Sequence, residues 1–464
     1  MHLTGLNKEY HLLQQEKMGM ISAAELENRL NYLKTVDAKE QFRKYMYQPA
    51  ENRQYFLNLN GGSSQHTWIA SLGYDDNTGN LGESYQRTTA RLQNKWKASD
   101  RFSMVFGGQF TDSETASGKM GFGNIVMKYG TAVPYMEFAD ANGNPLAAAK
   151  TYNQRYKETL NASGLQDWNY YPLTDWRNDR AESRLQEIIL NSGITYRILN
   201  GLEAEVKYQY QRQQADDLND HGKNSYYARN YVNSFAQIAD DESIRFIVPK
   251  GGIRDYYESL TEVNNLRGQL NYNKTWGRHL VSALAGSEMR EAKINSKSQR
   301  YYGVDENNLN TGAVDYVNPY PMLVTGFDEY IQKSESIGGR NTRFVSLFAN
   351  GAYTFDHKYT VSGSIRRDAS NLFGLRTNDQ WNPFWSAGAA WEMAKENFFP
   401  TGLLGSLKLR GSYGFNGNID PAMVAVSTIA YDGDYSVYTG SATARFDNYY
   451  NPKLRWETSG MLNA

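Results

Sequence analysis

The side chains able to do chemistry come first. Carboxylates stand side by side at Asp216-Asp217 and at Asp240-Asp241-Glu242. Two carboxylates flanking a glycosidic bond can serve as acid and base, and clustered oxygens suit calcium. Both groups fall in stretches that read as long loops, where neighbouring acids are ordinarily just solvated. Asp75-Asp76-Asn77-Thr78-Gly79 has the flavour of a calcium loop, but no terminal bidentate Glu follows it, so a hairpin turn is the better account. The six His form no H-x-x-x-H pair, and cysteine is absent, which removes thiolate metal sites, thiol nucleophiles and disulfides. Neither G-x-S-x-G nor a phosphate-binding loop occurs. The chain reads as not an enzyme, with no catalytic residue, no metal site and no cofactor beyond a loop calcium.

Aromatic side chains are the stronger lead to function. Trp168, Tyr170, Tyr171 and Trp176 cluster in one long loop, and Tyr226-Tyr227, Tyr256-Tyr257 and Tyr301-Tyr302 come as pairs in later ones. Such rings can stack on a ligand or meet a partner protein; they can equally pack the loops that carry them.

What positions these residues is a β-rich frame. The chain has 464 residues, 35 Tyr, 19 Phe, 9 Trp and 40 Gly, with a net charge of −1. That balance lacks the basic excess of a nucleic-acid binder. Mean hydropathy is −0.68, and no run of 18 apolar residues forms a membrane helix. A transmembrane β-barrel escapes that test, because its strands alternate lipid-facing and lumen-facing residues.

Residues 1–48 read as two or three short helices, with Ser22-Ala23-Ala24-Glu25 as a capping box. From Tyr55 the period becomes two. Leu202, Ala204, Val206, Tyr208 and Tyr210 share one face, against Glu203, Glu205, Lys207, Gln209 and Gln211 on the other. Strands are expected near 54–60, 66–74, 85–97, 102–111, 185–198, 202–213, 263–276, 279–290, 342–355, 359–368, 384–394, 406–416 and 454–463. Most match the ~9–11 residues that a tilted strand needs to cross a bilayer. The connections alternate between short ones (61–65, 98–101, 199–201, 277–278, 356–358, 395–405) and mostly long ones (75–84, 112–184, 214–262, 291–341, 369–383, 417–453). Outer-membrane barrels have short periplasmic turns and long extracellular loops. On that reading Tyr74, Trp96, Trp276, Trp391 and Trp456 belong to interfacial girdles, while Arg87, Arg91, Lys95, Lys408 and Arg410 face the lumen. A soluble extracellular β protein, either glycan-binding or a glycosidase, and a passive porin-like channel are the alternatives.

Several segments resemble one family. Leu407–Asn418 reads LKLRGSYGFNGN, Arg366–Gly374 reads RRDASNLFG, Trp381–Trp391 reads WNPFWSAGAAW followed by ENFF at Glu396–Phe399, and Asn451–Thr458 reads NPKLRWET. With YFLNLNGG at Tyr55–Gly62 and SLGYDDNTG at Ser71–Gly79, these resemble, in order, motifs of SusC/RagA-type TonB-dependent transporters. Trp385 and Ala369 depart from the family's usual Pro and Gly. The resemblance implies a partial, antiparallel, up-and-down transmembrane barrel over 49–464, with about 13 of an expected ~22 strands. It implies that 1–48 is a helical linker between a plug and the barrel, and that the plug and the C-terminal strands lie outside this sequence. It further implies import of oligosaccharides or peptides at the outer membrane, a SusD-like lipoprotein lid, and TonB acting through the plug.

Overall fold

The computed structural model describes residues 8–128, 131–132, 135–148, 150–152, 164–373, 383–399, 405–418, 427–436, 438–439, 441–449, 451 and 456–464. Parts of the family-like segments 366–374, 381–391 and 451–458, and of the expected loops 112–184, 369–383 and 417–453, lie outside them. Three helices open the chain: α1 (Lys8–Lys17), α2 (Ala23–Leu33) and α3 (Ala38–Tyr45). Ser22 caps α2 by accepting from the Glu25 N–H at 3.2 Å. The Glu25 carboxylate pairs with Arg29, four residues on, so the reciprocal half of the capping box is not made.

Thirteen strands follow in one antiparallel sheet, each bonded to its sequence neighbours. They are β1 (Glu51–Gly62), β2 (His66–Thr78), β3 (Ser84–Lys97), β4 (Phe102–Ala116), β5 (Asp179–Leu199), β6 (Leu202–His221), β7 (Gly252–Trp276), β8 (His279–Val304), β9 (Ser336–Phe355), β10 (Tyr359–Ser370), β11 (Phe384–Trp391), β12 (Leu409–Asn418) and β13 (Glu457–Asn463). Each expected strand is present, in the expected order. Among the described residues the sheet is not closed: β1 pairs only with β2, and β13 only with β12.

Alternation divides the sheet into two faces. Following the register, Phe102 lies opposite Tyr196, then Ala204, Leu270, Ala285, Ala349, Ile365 and Trp385. That row starts at the short-turn end of β4 and finishes at the far end of β11. A climb of this kind is the stagger of tilted barrel strands. Large apolar side chains on this face are open to their surroundings: Leu72 is 49% exposed, Leu270 48% and Met289 55%. A soluble core would cover them; hydrocarbon makes them favourable. At the short-turn end the same face carries Trp68, Trp96, Tyr272, Trp276, Tyr353, Tyr359 and Trp391, an interfacial girdle. Tyr74 belongs to the opposite rim, stacked on Tyr55. Trp456 is not a girdle residue: it lies before β13 and packs edge-on against Phe384, whose register position puts it on the polar face.

The opposite face carries Arg91, Gln109, Glu187, Gln211, Glu205, Gln269 and Glu288, which is how a water-facing lumen reads. Arg87 is bound to Asp75 across β2 and β3 on this face. Two of the short turns need positive φ, supplied by Gly201 (93°) and Gly277 (54°). The Asp356–His357 turn is tied to its neighbour by Arg278, whose Nε donates to Asp356 at 2.7 Å.

The strands run further into the expected long loops than their apolar pattern indicates. β7 has 25 residues and β8 has 26, against the ~10 that cross a bilayer. The remainder projects on the order of 30 Å past the membrane at about 3.3 Å per residue, less the tilt. Beyond the membrane both faces are wet, so the apolar alternation stops while the hydrogen-bonded ladder continues. Asp216, Asp217, Tyr256, Tyr257, Tyr301 and Tyr302 are therefore strand residues, not loop residues. Asp75–Thr78 likewise remain in β2, and the turn begins at Gly79.

The helices sit at the end of the long connections. β1 runs from that end, where Glu51 pairs with Thr78, to the short turn at Gly62. Ala38, Phe42 and Met46 are buried in one cluster with Phe138, Trp168 and Tyr170 of the 117–178 connection.

Placing a charge at the centre of the exposed apolar face tests this division. Leu270→Arg is expected to destabilise the barrel refolded in lipid vesicles by about 2–4 kcal/mol, read from urea titrations of Trp fluorescence. Asn271→Arg, one residue along on the polar face, is expected to cost less than about 1 kcal/mol.

Candidate functional site

The long connections fold inward over the polar face as two packed cores. The first contains α3, the short helix α4 (Phe122–Val126) and the residues around Trp168. The second is built on α5 (Tyr226–Ser234), which crosses the stretch between β6 and β7. The α5 segment was expected to be structureless loop. Its signals were present: Ser225 caps it by accepting from the Ala228 N–H at 3.1 Å, and Ala228 and Val232 are buried one turn apart.

These cores absorb several of the candidate rings. Trp168 is fully buried, and its Nε1 donates to Asn230 at 2.8 Å. Tyr170 meets Tyr226 edge-on at 5.4 Å, and the Tyr226 hydroxyl donates to the Lys150 carbonyl at 2.9 Å. Tyr302 stacks on Tyr231, and its hydroxyl donates to the Gln332 carbonyl at 2.6 Å. Tyr227 stacks on His221 with ring centres 3.9 Å apart. Trp176 donates to the Leu173 carbonyl and lies under Lys119. Tyr171 is half-buried in the turn leading to it. Packing thus occupies Trp168, Tyr170, Tyr226 and Tyr302 in this conformation.

The two tyrosine pairs on strands split between the faces. Tyr256 and Tyr301 share the parity of Leu266 and Met289, so they point away from the lumen, where their rings meet edge-on at 6.0 Å. Tyr257 and Tyr302 point inward. Tyr257 lies directly across from Asp217 on β6 and from Ser298 on β8. It stays 42% exposed beside a cavity of about 910 Å³ that Asp217, Asn219, Ser298, Tyr316, Tyr330 and Lys333 also line.

A buried polar network, invisible in the sequence, joins the two loop connections to each other. The Asp175 carboxylate accepts from the Tyr226 N–H at 2.7 Å and lies 3.9 Å from Arg229. Arg229 also donates to the carbonyls of Asn224 and Asn169, each at 3.1 Å. The Lys150 ammonium rests 4.0 Å from the Tyr170 ring centre. Burial pushes the Lys150 amine down against the pull of Asp175, and pushes the Asp175 carboxyl up against the Tyr226 N–H and Lys150. Burial also raises the Tyr170 and Tyr226 hydroxyls. These groups come from three separated stretches, Lys150, 169–175 and 224–229, and no spacing rule joins one stretch to another.

The acidic candidates do not converge. Asp76 accepts from Gln86 at 3.3 Å, and Asp241 accepts from the Ser243 hydroxyl at 2.6 Å in the turn of a small hairpin. Among the described residues, no three carboxylate or imidazole groups come together as a metal site.

An open, staggered sheet with an exposed apolar belt, an aromatic girdle and long loops folded over its polar face defines an outer-membrane β-barrel wall. The chain belongs to the TonB-dependent receptor-like β-barrel family, whose model matches residues 131–459. Most of the segments that resemble the SusC/RagA type, from Arg366 to Thr458, lie within that match. The curated relatives include TonB-dependent receptor P3 of Formosa agariphila, 24% identical over 475 residues that cover 99% of this chain and 42% of that protein. TonB-dependent receptor P39 of the same bacterium is 24% identical over 79% of this chain and 30% of its own length. The RagAB peptide importer in its closed-closed state superposes with a TM-score of 0.70 at 16% identity, over 92% of this chain and 43% of that one. The chain thus spans less than half the length of each. The family is one of outer-membrane receptors rather than enzymes, and with the exposed belt it displaces the soluble alternative.

Removing the Asp175 carboxylate leaves the Tyr226 N–H and Arg229 without that partner. Asp175→Ala is expected to weaken local packing by about 1–3 kcal/mol, seen as at least fivefold faster amide exchange in 164–178 and 225–235, with the strands unchanged.

Proposed function

We propose that the protein containing this chain is a TonB-dependent importer that takes up oligosaccharides or peptides across the outer membrane. The observation that carries the reading is the combination of a family-matched barrel wall with a polar inner face that continues past the membrane and holds the folded loops. Long walls enclosing polar space suit a ligand larger than a small ion. The RagAB structures bear the description of a peptide transporter and importer, which supports this activity class for the present chain.

The rest of the machinery follows from the same reading. TonB acts on a plug in the lumen, a SusD-like lipoprotein covers the mouth, and no bond in the substrate changes, so no cofactor is needed. The edges of β1 and β13 present unpaired backbone groups that hydrocarbon does not tolerate, so further strands pair with them in the membrane. The helices of 8–48 belong with the extracellular loops on this reading, because β1 descends from their side. The buried loop rings serve the shape of the mouth, and exposed Tyr257 is the ring best placed for ligand.

Deleting the gene is expected to abolish growth on the imported nutrient as sole carbon or nitrogen source, and inactivating TonB in the intact strain is expected to do the same. Continued uptake without TonB contradicts active import and favours the passive channel.

A further inference from the structure

We infer that the cavity beside the projecting ends of β6, β7 and β8 is a subsite for an uncharged sugar ring, with Tyr257 as its stacking platform and Asp217 as acceptor for its hydroxyls. The inference rests on the importer reading and selects between its two substrate classes.

One side of this cavity is the inner face of β6, β7 and β8, and the other is the stretch 330–335 with Tyr316. β6 is bonded to β5 and β7, and β7 to β6 and β8, along the whole stretch. Their backbone groups are spent in the ladder, so these strands offer a peptide no free edge. Recognition falls to side chains. One inward row runs Thr115, Ser183, Asp217, Tyr257, Ser298 and Ser336. Ser298 and Ser336 hydrogen-bond each other at 2.8 Å. Asp217 has no hydrogen-bond or ion-pair partner among the described residues, and the amide of Asn219, two residues along the same face, is likewise free of partners there.

Lys333, which lines this cavity, and nearby Arg300 each have a carboxylate partner. Arg300 donates twice to Asp255, at 2.6 Å each, and Lys333 lies 2.9 Å from Glu335. With Asp217, Asp255 and Glu335 against Lys333, the described lining carries a negative excess that disfavours a peptide C-terminus or an acidic sugar. The groups free to bind are a carboxylate that only accepts, an amide that both accepts and donates, and the Tyr257 ring, with Tyr330 also in the lining. Vicinal hydroxyls donate to a carboxylate in strong charge-assisted bonds, while the C–H face of a pyranose lies on an aromatic ring. The volume of about 910 Å³ is within the range of ligand sites.

The complete protein in detergent is titrated with neutral hexaoses (maltohexaose, laminarihexaose, mannohexaose, xylohexaose) and with a hexapeptide alternating Lys and Gly. Each variant is first shown to keep its heat-modifiable migration. The expected result is binding of at least one hexaose, weakened at least tenfold by Tyr257→Ala and by Asp217→Ala. Tyr301→Ala, on the opposite face, should leave it within twofold. Hexaose binding that both inward variants leave intact overturns the site. Binding of the basic peptide alone, or of no hexaose, overturns the sugar assignment. The importer reading survives any of these if uptake still requires TonB, and fails separately if it does not.

Discussion

The backbone hydrogen bonds of a membrane-spanning strand have to be made by other strands. Hydrocarbon offers neither donor nor acceptor, and each unpaired group costs several kcal/mol. Thirteen strands joined only to their sequence neighbours meet that demand for all but two edges. The remaining architecture follows from the ladder. With every backbone group engaged, side chains alone distinguish the faces, and alternation sends apolar ones to lipid and polar ones to the lumen.

The same ladder gives the wall its second role. Past the membrane it loses its apolar face but not its pairing, so β5 to β8 stand up as a stiff partition. The loops pack against the inner surface of this partition at Ile253 and Tyr302, and the Asp175, Arg229 and Lys150 network ties them to one another. Rings held on strands keep fixed positions, whereas rings in the loops are consumed in holding the loops together. That difference separates Tyr257 from Trp168.

The strands within the membrane were legible because alternation there is enforced by two solvents. Leu202–Gln211 shows it without a break. The short turns were legible from Gly201 and Gly277. The outer halves of β7 and β8 were not, since with water on both sides Ser259, Thr261 and Asn295 carry no apolar period. The helix at Tyr226–Ser234 was missed because the flanking polar residues suggested loop, although its Ser225 cap and the buried Ala228 and Val232 were in plain view. The site was legible only as a set of aromatic candidates. Parity decides which of them face inward, and parity needs the register: Tyr256 and Tyr257 are identical side chains on opposite sides of one wall.

The central claim is that one face of this sheet meets lipid and the other water. This chain has no cysteine; with any cysteine elsewhere in the complete protein replaced, single cysteines are placed at each position from 256 to 276 in lipid vesicles and carry a nitroxide label. Relaxation by oxygen, which concentrates in hydrocarbon, is compared with relaxation by a water-soluble nickel chelate. The account predicts a strict period of two between Leu266 and Trp276, with even positions oxygen-accessible and odd ones chelate-accessible, and chelate access at both parities between Tyr256 and Glu262. Equal chelate access at even and odd positions across Leu266–Trp276 would contradict it, because both faces of the sheet would then lie in water.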